Sequence, residues 1–400
     1  MRTSRTRQRD ERGQVLVIVA VGLVAIVAMV GLVIDGGYAW GQQRKTQNGA
    51  DAMAEAGAAV LAQNLAGTYP AKTDGDVGCA VESAAAANGV TSPTAFYTDI
   101  TGNFLNPSVQ VGPCAAGQGG LVPSSAAGVK AGGARTFKTF LMSVIGFDQL
   151  TATANATAVT GLLKNVCPAD AGCGLLPVTF PLTAVICDGT NRQIQIGTTE
   201  WPIVQVSDPA APNYATSSNE AIIPLCTTGP GSVGWLDLGC GTLSHTISNP
   251  CNASIPIPAW LQTQTGNVNS LESELNAYAG PVLGVPDDSV VNLPINDNTC
   301  VGQPADNDPT CMPLGAEGSG SGNNFYYHVR YFVGFMMDRA YTQGGNNASC
   351  NSGPGQPYVS GNGATGCFKG WFVKQILQGP VISGASGPQD PSDIGIQLIR

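Results

Sequence analysis

The sequence contains few of the side chains that enzymes use for nucleophilic or acid–base chemistry. Only two of its 400 residues are histidines, His245 and His328, so a catalytic triad or a histidine-rich metal site has few components. Ser232 lies in the segment PGSVG, where Pro230 replaces the first glycine of the nucleophile elbow G-x-S-x-G. We interpret this segment as a turn and His328 as a packed histidine, and we predict no catalytic residue.

A group of aspartates in the second half of the chain could supply oxygen ligands to calcium. Calcium takes 6–8 oxygen ligands in many exported proteins. The spacing of these aspartates does not match an EF-hand, and the solvated carboxylates of a loop are the alternative interpretation. No P-loop, HExxH or dinucleotide-binding motif occurs, so no metal and no cofactor is predicted. The aspartates are Asp287, Asp288, Asp297, Asp306 and Asp308.

The chain has twelve cysteines, and an even number favours disulfides in an oxidising compartment. A zinc site would need paired CxxC knuckles, and the sequence has none. The spacing does not determine which cysteines pair. The candidate disulfide cysteines are Cys79, Cys114, Cys167, Cys173, Cys187, Cys226, Cys240, Cys251, Cys300, Cys311, Cys350 and Cys367.

An uninterrupted apolar run extends from Val15 to Ile34 and is long enough for one helical crossing of a bilayer, about 30 Å. Five arginines precede the run, and no basic residue follows it before Arg44, so its N-terminus is predicted to be cytoplasmic. All twelve cysteines would then lie outside the cytoplasm. A cleaved signal peptide is the alternative, but signal cores are shorter and end at a small-x-small site.

The composition favours folded, turn-rich structure in the exported part. Charged residues make up 11% of the chain, while glycine and proline number 52 and 27, which is typical of β structure with many turns. The net charge of −9 disfavours a nucleic-acid partner, because phosphate binding needs clustered lysine and arginine.

The pattern beyond the apolar run predicts an α+β fold. Good helix formers continue to Leu65, so the membrane helix and an exported helix could form one rod. Its Ala- and Gly-rich stripe would suit either another helix or its own domain. A short helix is predicted over residues 77–88 and another over 262–279, with strands over segments that include 95–100, 108–111, 151–163 and 325–337.

Four regions follow from this pattern. Residues 1–13 form a basic cytoplasmic N-terminus, and residues 14–34 form the transmembrane helix. Residues 35–165 contain the exported helix and an α+β unit, and residues 166–400 form a β-rich region stabilised by disulfides.

Residues 12–62 resemble the N-terminus of the TadG-like proteins of Flp (tight adherence) pilus assembly. These proteins combine an Arg-Gly-Gln entry, an apolar span, an Asp-x-Gly exit and an Ala-rich helix. The corresponding positions here are Arg12, Gly13, Gln14, Asp35, Gly37, Gln47, Asn48, Ala50, Asp51, Ala52, Ala54, Ala56, Gly57 and Ala58.

The resemblance implies a pseudopilin-like or anchoring component of the cell envelope and does not imply an enzyme. Its partners would be the membrane and other Tad/Flp pilus-assembly proteins or pseudopilins, and the 35–165 unit would be pilin-like. Two features depart from related proteins. Ile18 occupies the position where processed pilins carry glutamate, and the Asp-x-Ser-x-Ser metal motif of some TadG proteins is absent.

The sequence therefore predicts a structural protein with one membrane crossing, an N-terminus in the cytoplasm and most of its chain outside. The small residues Gly22, Ala25, Ala28 and Gly31 would line a seam for another membrane helix. A membrane-anchored surface adhesin or ligand-binding module is the alternative, with Trp201, Trp235, Trp260 and Trp371 as candidate binding residues and an unknown ligand.

Overall fold

The structure is a computed structural model. It describes residues 8–166, 175–185, 193–206, 208–226, 234–239, 241–248, 255–264, 271–279, 290–305, 308–311, 325–342, 350, 364–379, 381–382 and 392–399. For residues 8–14 it describes the backbone alone.

Four α-helices lie in the described part of the chain: α1 Gln8–Leu65, α2 Asp74–Ala87, α3 Leu243–Ser248 and α4 Glu272–Asn276. A 3₁₀ helix spans Met142–Ile145.

The strands, in chain order, are β1 Thr91–Thr98, β2 Gly128–Lys138, β3 Gln149–Leu163, β4 Asn165–Val166, β5 Val178–Pro181, β6 Thr183–Val185, β7 Gln193–Gln195, β8 Ile203–Val204, β9 Ala221–Cys226, β10 Gly234–Trp235, β11 Ile255–Pro256, β12 Ala259–Gln262, β13 Val290–Val301, β14 Phe325–Tyr341, β15 Ala364–Val373, β16 Ile376–Gln378, β17 Val381–Ile382 and β18 Ile394–Ile399.

The helix α1 is a single rod of 58 residues. Its segment 15–65 spans about 75 Å at the usual rise of 1.5 Å per residue. The apolar run and the Ala-rich segment are therefore parts of one helix, as the uninterrupted helix formers predicted.

The helix α2 begins at a capping box in which Thr73 and Asp76 exchange side-chain and backbone hydrogen bonds. It begins three residues before the predicted segment. Past its end, Gly89 has φ +62°, a conformation that glycine adopts without a steric penalty.

Six strands form the first sheet, in the order β1-β2-β3-β18-β16, with β17 paired to β3. The contacts of β3 with β2 and β18 are antiparallel, and β16 runs parallel to β18. Strands β16–β18 are thus contributed by residues 376–399, far along the chain from β3. This sheet thus combines strands from both sides of residue 165. The four regions into which the sequence was divided stay a prediction.

The helix α1 packs on this first sheet and on α2 through small residues. Ala50, Ala54 and Ala58 are fully buried. A Cβ added to Gly57 would lie 3.0 Å from both methyl carbons of Val129 in β2, so a glycine permits this close approach. Packing of the Ala- and Gly-rich stripe against its own domain is therefore the interpretation that the structure supports.

Eight strands form the second sheet, in the order β10-β5-β13-β14-β15-β8, with β12 paired to β14 and β9 to β15. Its core is aromatic: Phe180 packs edge-on against Phe335 and Phe368, and Trp201 packs against Phe372. Burying such rings is a large source of stability for a chain so poor in charge.

Asp393 connects the two sheets. Its backbone N–H donates to Phe332 in β14, its carbonyl accepts from Leu163 in β3, and its Oδ1 accepts from the N–H groups of Gly334 and Gln375. The residue is fully buried. Burial raises the pKa of Asp393 to about 7, although the two N–H donors and the charge of Lys374 act in the opposite direction.

Several predicted elements differ from the observed ones. Of the helix predicted over 262–279, only Glu272–Asn276 is helical among the described residues, and Gln262 lies in β12 instead, because residues 259–262 pair with β14. The strand predicted over 108–111 is reduced to an isolated bridge between Gln110 and Phe96. The strand β2 was not predicted, because its GVKAGGA start is rich in glycine and alanine and has Val129 as its single β-branched residue. The α+β class is confirmed.

Candidate functional site at the membrane-proximal end of α1

The first half of α1 is unusual because its apolar side chains face outward. The large side chains from Val15 to Ile34 are between 47% and 74% exposed. The helix is long and apolar enough to cross a membrane, and such exposure would be costly in water. The predicted span Val15 to Ile34 is therefore a candidate membrane segment with its surface free for lipid or for other helices.

Asp35 lies where this apolar run ends, and its carboxylate holds a distant loop. Its Oδ1 accepts a hydrogen bond of 2.8 Å from the N–H of Phe140, and its Oδ2 accepts bonds of 2.9 and 2.6 Å from Leu141 and Met142. The residue is only 1% exposed. These three donors are the free N–H groups at the start of the 3₁₀ helix, which an anionic side chain stabilises.

We call residues 139–147, which connect β2 to β3, the hairpin tip. Tyr38, one turn beyond Asp35, packs edge-on against Phe137 at 5.4 Å and against Phe140 at 5.2 Å. A Cβ added to Gly31 would lie 3.1 Å from Cβ of Leu141. The hairpin tip therefore contacts α1 on both sides of Asp35.

Further along α1, the glutamines bind the open edge of β3. The strand β18 pairs with residues 157–162 of β3, and the carbonyl groups before them have no strand partner on that edge among the described residues. Gln43 donates to the carbonyl of Thr153, and Gln47 donates to that of Asn155. Gln47 also donates to Asp51, one helical turn away. Gln47 of the family motif thus joins the helix to the sheet, and Asp51 accepts a hydrogen bond from the same Gln47 amide.

The remaining described positions of the family motif do not form one surface of the protein. Gly37 has no atom within 4 Å of an added Cβ, Asn48 is exposed, and Ala52 and Ala56 are half-buried. Arg12, Gly13 and Gln14 lie in α1, but their side chains are outside the described residues. In the predicted seam, Gly31 is covered by Leu141, whereas Gly22 has no neighbour within 4 Å and Ala25 and Ala28 are exposed.

The titratable residues singled out in the sequence do not form a catalytic or metal site where they are described. His328 is buried, its Nδ1 lies 2.5 Å from Oδ1 of Asp297, and Arg330 contacts the other carboxylate oxygen at 3.2 Å. Asp308 accepts from Thr310 within its own turn. No cluster of three metal-binding side chains occurs among the described residues.

The remaining candidate residues from the sequence form no further site among the described residues. His245 is exposed in α3. Ser232 and the aspartates Asp287, Asp288 and Asp306 lie outside the described residues.

The four tryptophans proposed for ligand binding are mostly core residues. Trp201 is 1% exposed and Trp371 is 8% exposed, and the indole N–H of Trp371 donates to the carbonyl of Thr216. Trp235 packs against Phe368. Trp260 is half-buried beside His328. They do not form one aromatic surface.

Three disulfides connect described cysteines: Cys79–Cys114, Cys300–Cys311 and Cys350–Cys367. The first fastens α2 to the segment after β1, and the third fastens β15 to residue 350. Cys167, Cys173, Cys187, Cys240 and Cys251 lie outside the described residues, as does the side chain of Cys226. Of these three disulfides, one lies beside the first sheet and two involve strands of the second sheet.

Sequence reasoning missed the hairpin tip as the partner of Asp35. The two segments are more than 100 residues apart, and no local pattern connects them. A usable signal was the absence of charge from residues 139 to 147, between Lys138 and Asp148.

Comparison with known proteins adds one finding. No curated protein matches the chain, and no solved structure matches it. A family model does match, that of Tad (Flp pilus-assembly TadE/G-like), over residues 13–60. The matched segment contains the apolar span and most of the second half of α1, which packs on the first sheet. The predicted resemblance to the TadG-like proteins of Flp pilus assembly is therefore confirmed for residues 13–60 of this chain.

Proposed function

We propose that this protein is a membrane-anchored structural component of a Tad/Flp pilus-assembly or secretion apparatus. One observation carries the proposal: the segment that matches the pilus-assembly family is the same helix whose apolar side chains are exposed over residues 15–34. A helix with this surface needs lipid or other apolar helices around it.

In this proposal α1 crosses the membrane once, with its N-terminus in the cytoplasm and both sheets outside. The arginines that precede Val15 support this orientation, and the disulfides support an oxidising compartment for the region after residue 78. The protein works without chemistry of its own, as an anchor and a scaffold.

The open part of the small-residue stripe is the surface that we assign to partner helices. Gly22 and Ala25 have room for the close approach that small residues permit in membranes, whereas Ala28 lines a groove beside the hairpin tip. The partners would be pseudopilins or other Tad/Flp assembly proteins, held side by side in the bilayer.

The proposal is tested by affinity purification of the full chain from cross-linked membranes of cells that assemble the pilus. We expect Tad secretin, platform or pilin subunits in the purified material. Gly22→Ile should reduce their recovery, because the longer side chain separates the helices. Leu23→Ile, on the next helical position, is the matched control. Recovery of none of these subunits with the unaltered chain would refute the assignment.

The adhesin alternative predicts a different outcome, namely binding of the exported region to a glycan through an aromatic surface. The burial of Trp201 and Trp371 removes two of the four residues on which that hypothesis depended.

A further inference from the structure

The hairpin tip lies at the depth of the apolar span. Leu141 covers Gly31, which precedes Asp35 by four residues, or about 6 Å along the helix axis. Leu141 is therefore beside a residue that the membrane-crossing segment includes.

The tip has the composition of a membrane-inserting segment. Residues 139–147, TFLMSVIGF, contain no charge, while exposed Lys138 and Asp148 flank them. Phe140 is 62% exposed and Phe147 is 55% exposed. Two exposed phenylalanines on one loop are an apolar surface that water does not favour.

Several backbone N–H groups of the tip already have hydrogen-bond partners within the protein. Asp35 accepts the N–H groups of residues 140–142. Phe147 donates to the carbonyl of Met142, and Gly146 donates to that of Ser143. In lipid an N–H group without a partner carries a large free-energy cost, so this hydrogen bonding lowers the cost of insertion.

An apolar groove of about 300 Å³ lies alongside the contact between the tip and α1. Val24, Val27 and Leu32 line it on the helix side, and Leu141 and Met142 line it on the tip side. The groove is continuous with the exposed apolar surface of the span, so whatever surrounds the span also reaches the groove.

We propose that the hairpin tip inserts into the exported-side leaflet of the bilayer that α1 crosses, and that lipid acyl chains fill the groove. The exported unit is then held to the membrane at two points, the helix and the tip. This inference rests on the membrane crossing in the proposed function but not on the role in pilus assembly.

Photo-crosslinking of the full chain in its membrane tests the proposal. Phe147 is replaced by the photoreactive amino acid p-benzoylphenylalanine, and adducts are identified by mass spectrometry after irradiation. The same replacement at Phe104, 49% exposed near β1, is the matched control, and replacement at Val21 in the span reports the membrane crossing itself. We expect lipid adducts at positions 147 and 21 and none at position 104.

Each other outcome overturns the proposal in a recognisable way. Lipid adducts at position 21 without any at 147 leave the membrane crossing intact and refute insertion of the tip. Adducts of position 147 with another protein chain identify the tip as a protein interface instead. The absence of lipid adducts at both positions refutes the crossing as well. The replacement at Phe140 repeats the measurement on the other side of the tip if the variant at 147 does not accumulate.

Discussion

Asp35 and Met142 are 107 residues apart in the chain, and the carboxylate of the first accepts a 2.6 Å hydrogen bond from the backbone of the second. Together with the bonds from Phe140 and Leu141, this contact fixes the hairpin tip to the point where the apolar run ends. The carboxylate thereby adds a contact at the end of the apolar run to those through which α1 packs on the first sheet.

Replacement of Asp35 should release the tip from α1. Asp35→Ala removes all three acceptor bonds, whereas Asp35→Asn keeps one carbonyl oxygen, so we expect the alanine variant to be affected more. Limited proteolysis of the protein in detergent would measure this as faster cleavage within residues 139–147. Asp148→Ala, at an exposed aspartate beside the tip, is the control and should be cleaved like the unaltered protein. Equal cleavage of the Asp35 and Asp148 variants would contradict the role of the carboxylate.

Replacement of Gly57 by a larger residue should destabilise the packing of α1 on the first sheet. The Cβ position is already 3.0 Å from Val129, so Gly57→Leu overpacks the contact between helix and sheet and should cost about 1–3 kcal/mol. Gly41→Leu is a matched control on the same helix, with no atom within 4 Å of an added Cβ. The control should be neutral or gain up to about 1 kcal/mol in helix propensity. Denaturant unfolding followed by circular dichroism would compare them, and equal midpoints would argue against the observed packing.

The stability of the protein should fall as the pH rises towards 7 because of Asp393. Its pKa is raised from 3.8 to about 7 by burial in the folded protein. The folded protein therefore keeps a proton that the unfolded chain loses, and this contribution is complete below pH 3.8 and lost as the pH rises to about 7.

Asp393→Asn should remove that dependence. The amide keeps an oxygen for the N–H groups of Gly334 and Gln375 but has no charge. Relative to the unaltered protein, the variant should gain up to roughly 4 kcal/mol between acidic and neutral pH. Thermal unfolding over this pH range would show the difference, and parallel curves for the two proteins would contradict it. The control is Asp148→Asn, at an exposed aspartate. This variant should unfold with the same pH dependence as the unaltered protein.

Limited reduction should open the disulfides in an order set by burial. Both cysteines of the pair Cys350–Cys367 are fully buried, whereas Cys114 and Cys311 are exposed. A thiolate reductant must reach a sulfur atom to attack it, so Cys79–Cys114 and Cys300–Cys311 should be reduced first. Mass spectrometry after alkylation at increasing times would record the order. Early loss of Cys350–Cys367 in the folded protein would mean that this pair is accessible.

A charge in the middle of the apolar run should impair membrane insertion. Val24→Arg should cost about 2.5–3.5 kcal/mol for a residue near the centre of the span. Val24→Leu, which keeps the apolar surface, is the control. Carbonate extraction of membranes would separate inserted from peripheral protein, and retention of both variants in the membrane fraction would count against the crossing.

Local patterns predicted the long helix and several strands well. The run Val15–Ile34 and the helix formers up to Leu65 determine α1 by themselves, and the alternation from Thr151 to Leu163 and the aromatic run from Phe325 predicted β3 and β14. In each case the signal lies within the element.

The contacts that define the candidate site could not be predicted in this way. The glycines of β2 reflect a requirement of packing and not of strand propensity: a Cβ added to Gly133 would overlap Val90 and lie 3.7 Å from Cε of Met53 in α1. The same holds for the carboxylate of Asp35, whose partners are backbone groups that any sequence would provide. Only the tertiary structure brings these residues together.

The pairing of β18 with β3 has a consequence for how the protein is made. Ile394 in β18 pairs with Leu162 in β3, 232 positions earlier, so residues 157–162 of β3 lack this partner until almost all of the polypeptide has been synthesised. A ribosome stalled midway would leave this edge of β3 without its strand partner. Completion of the first sheet is therefore coupled to synthesis of the distant C-terminal strand.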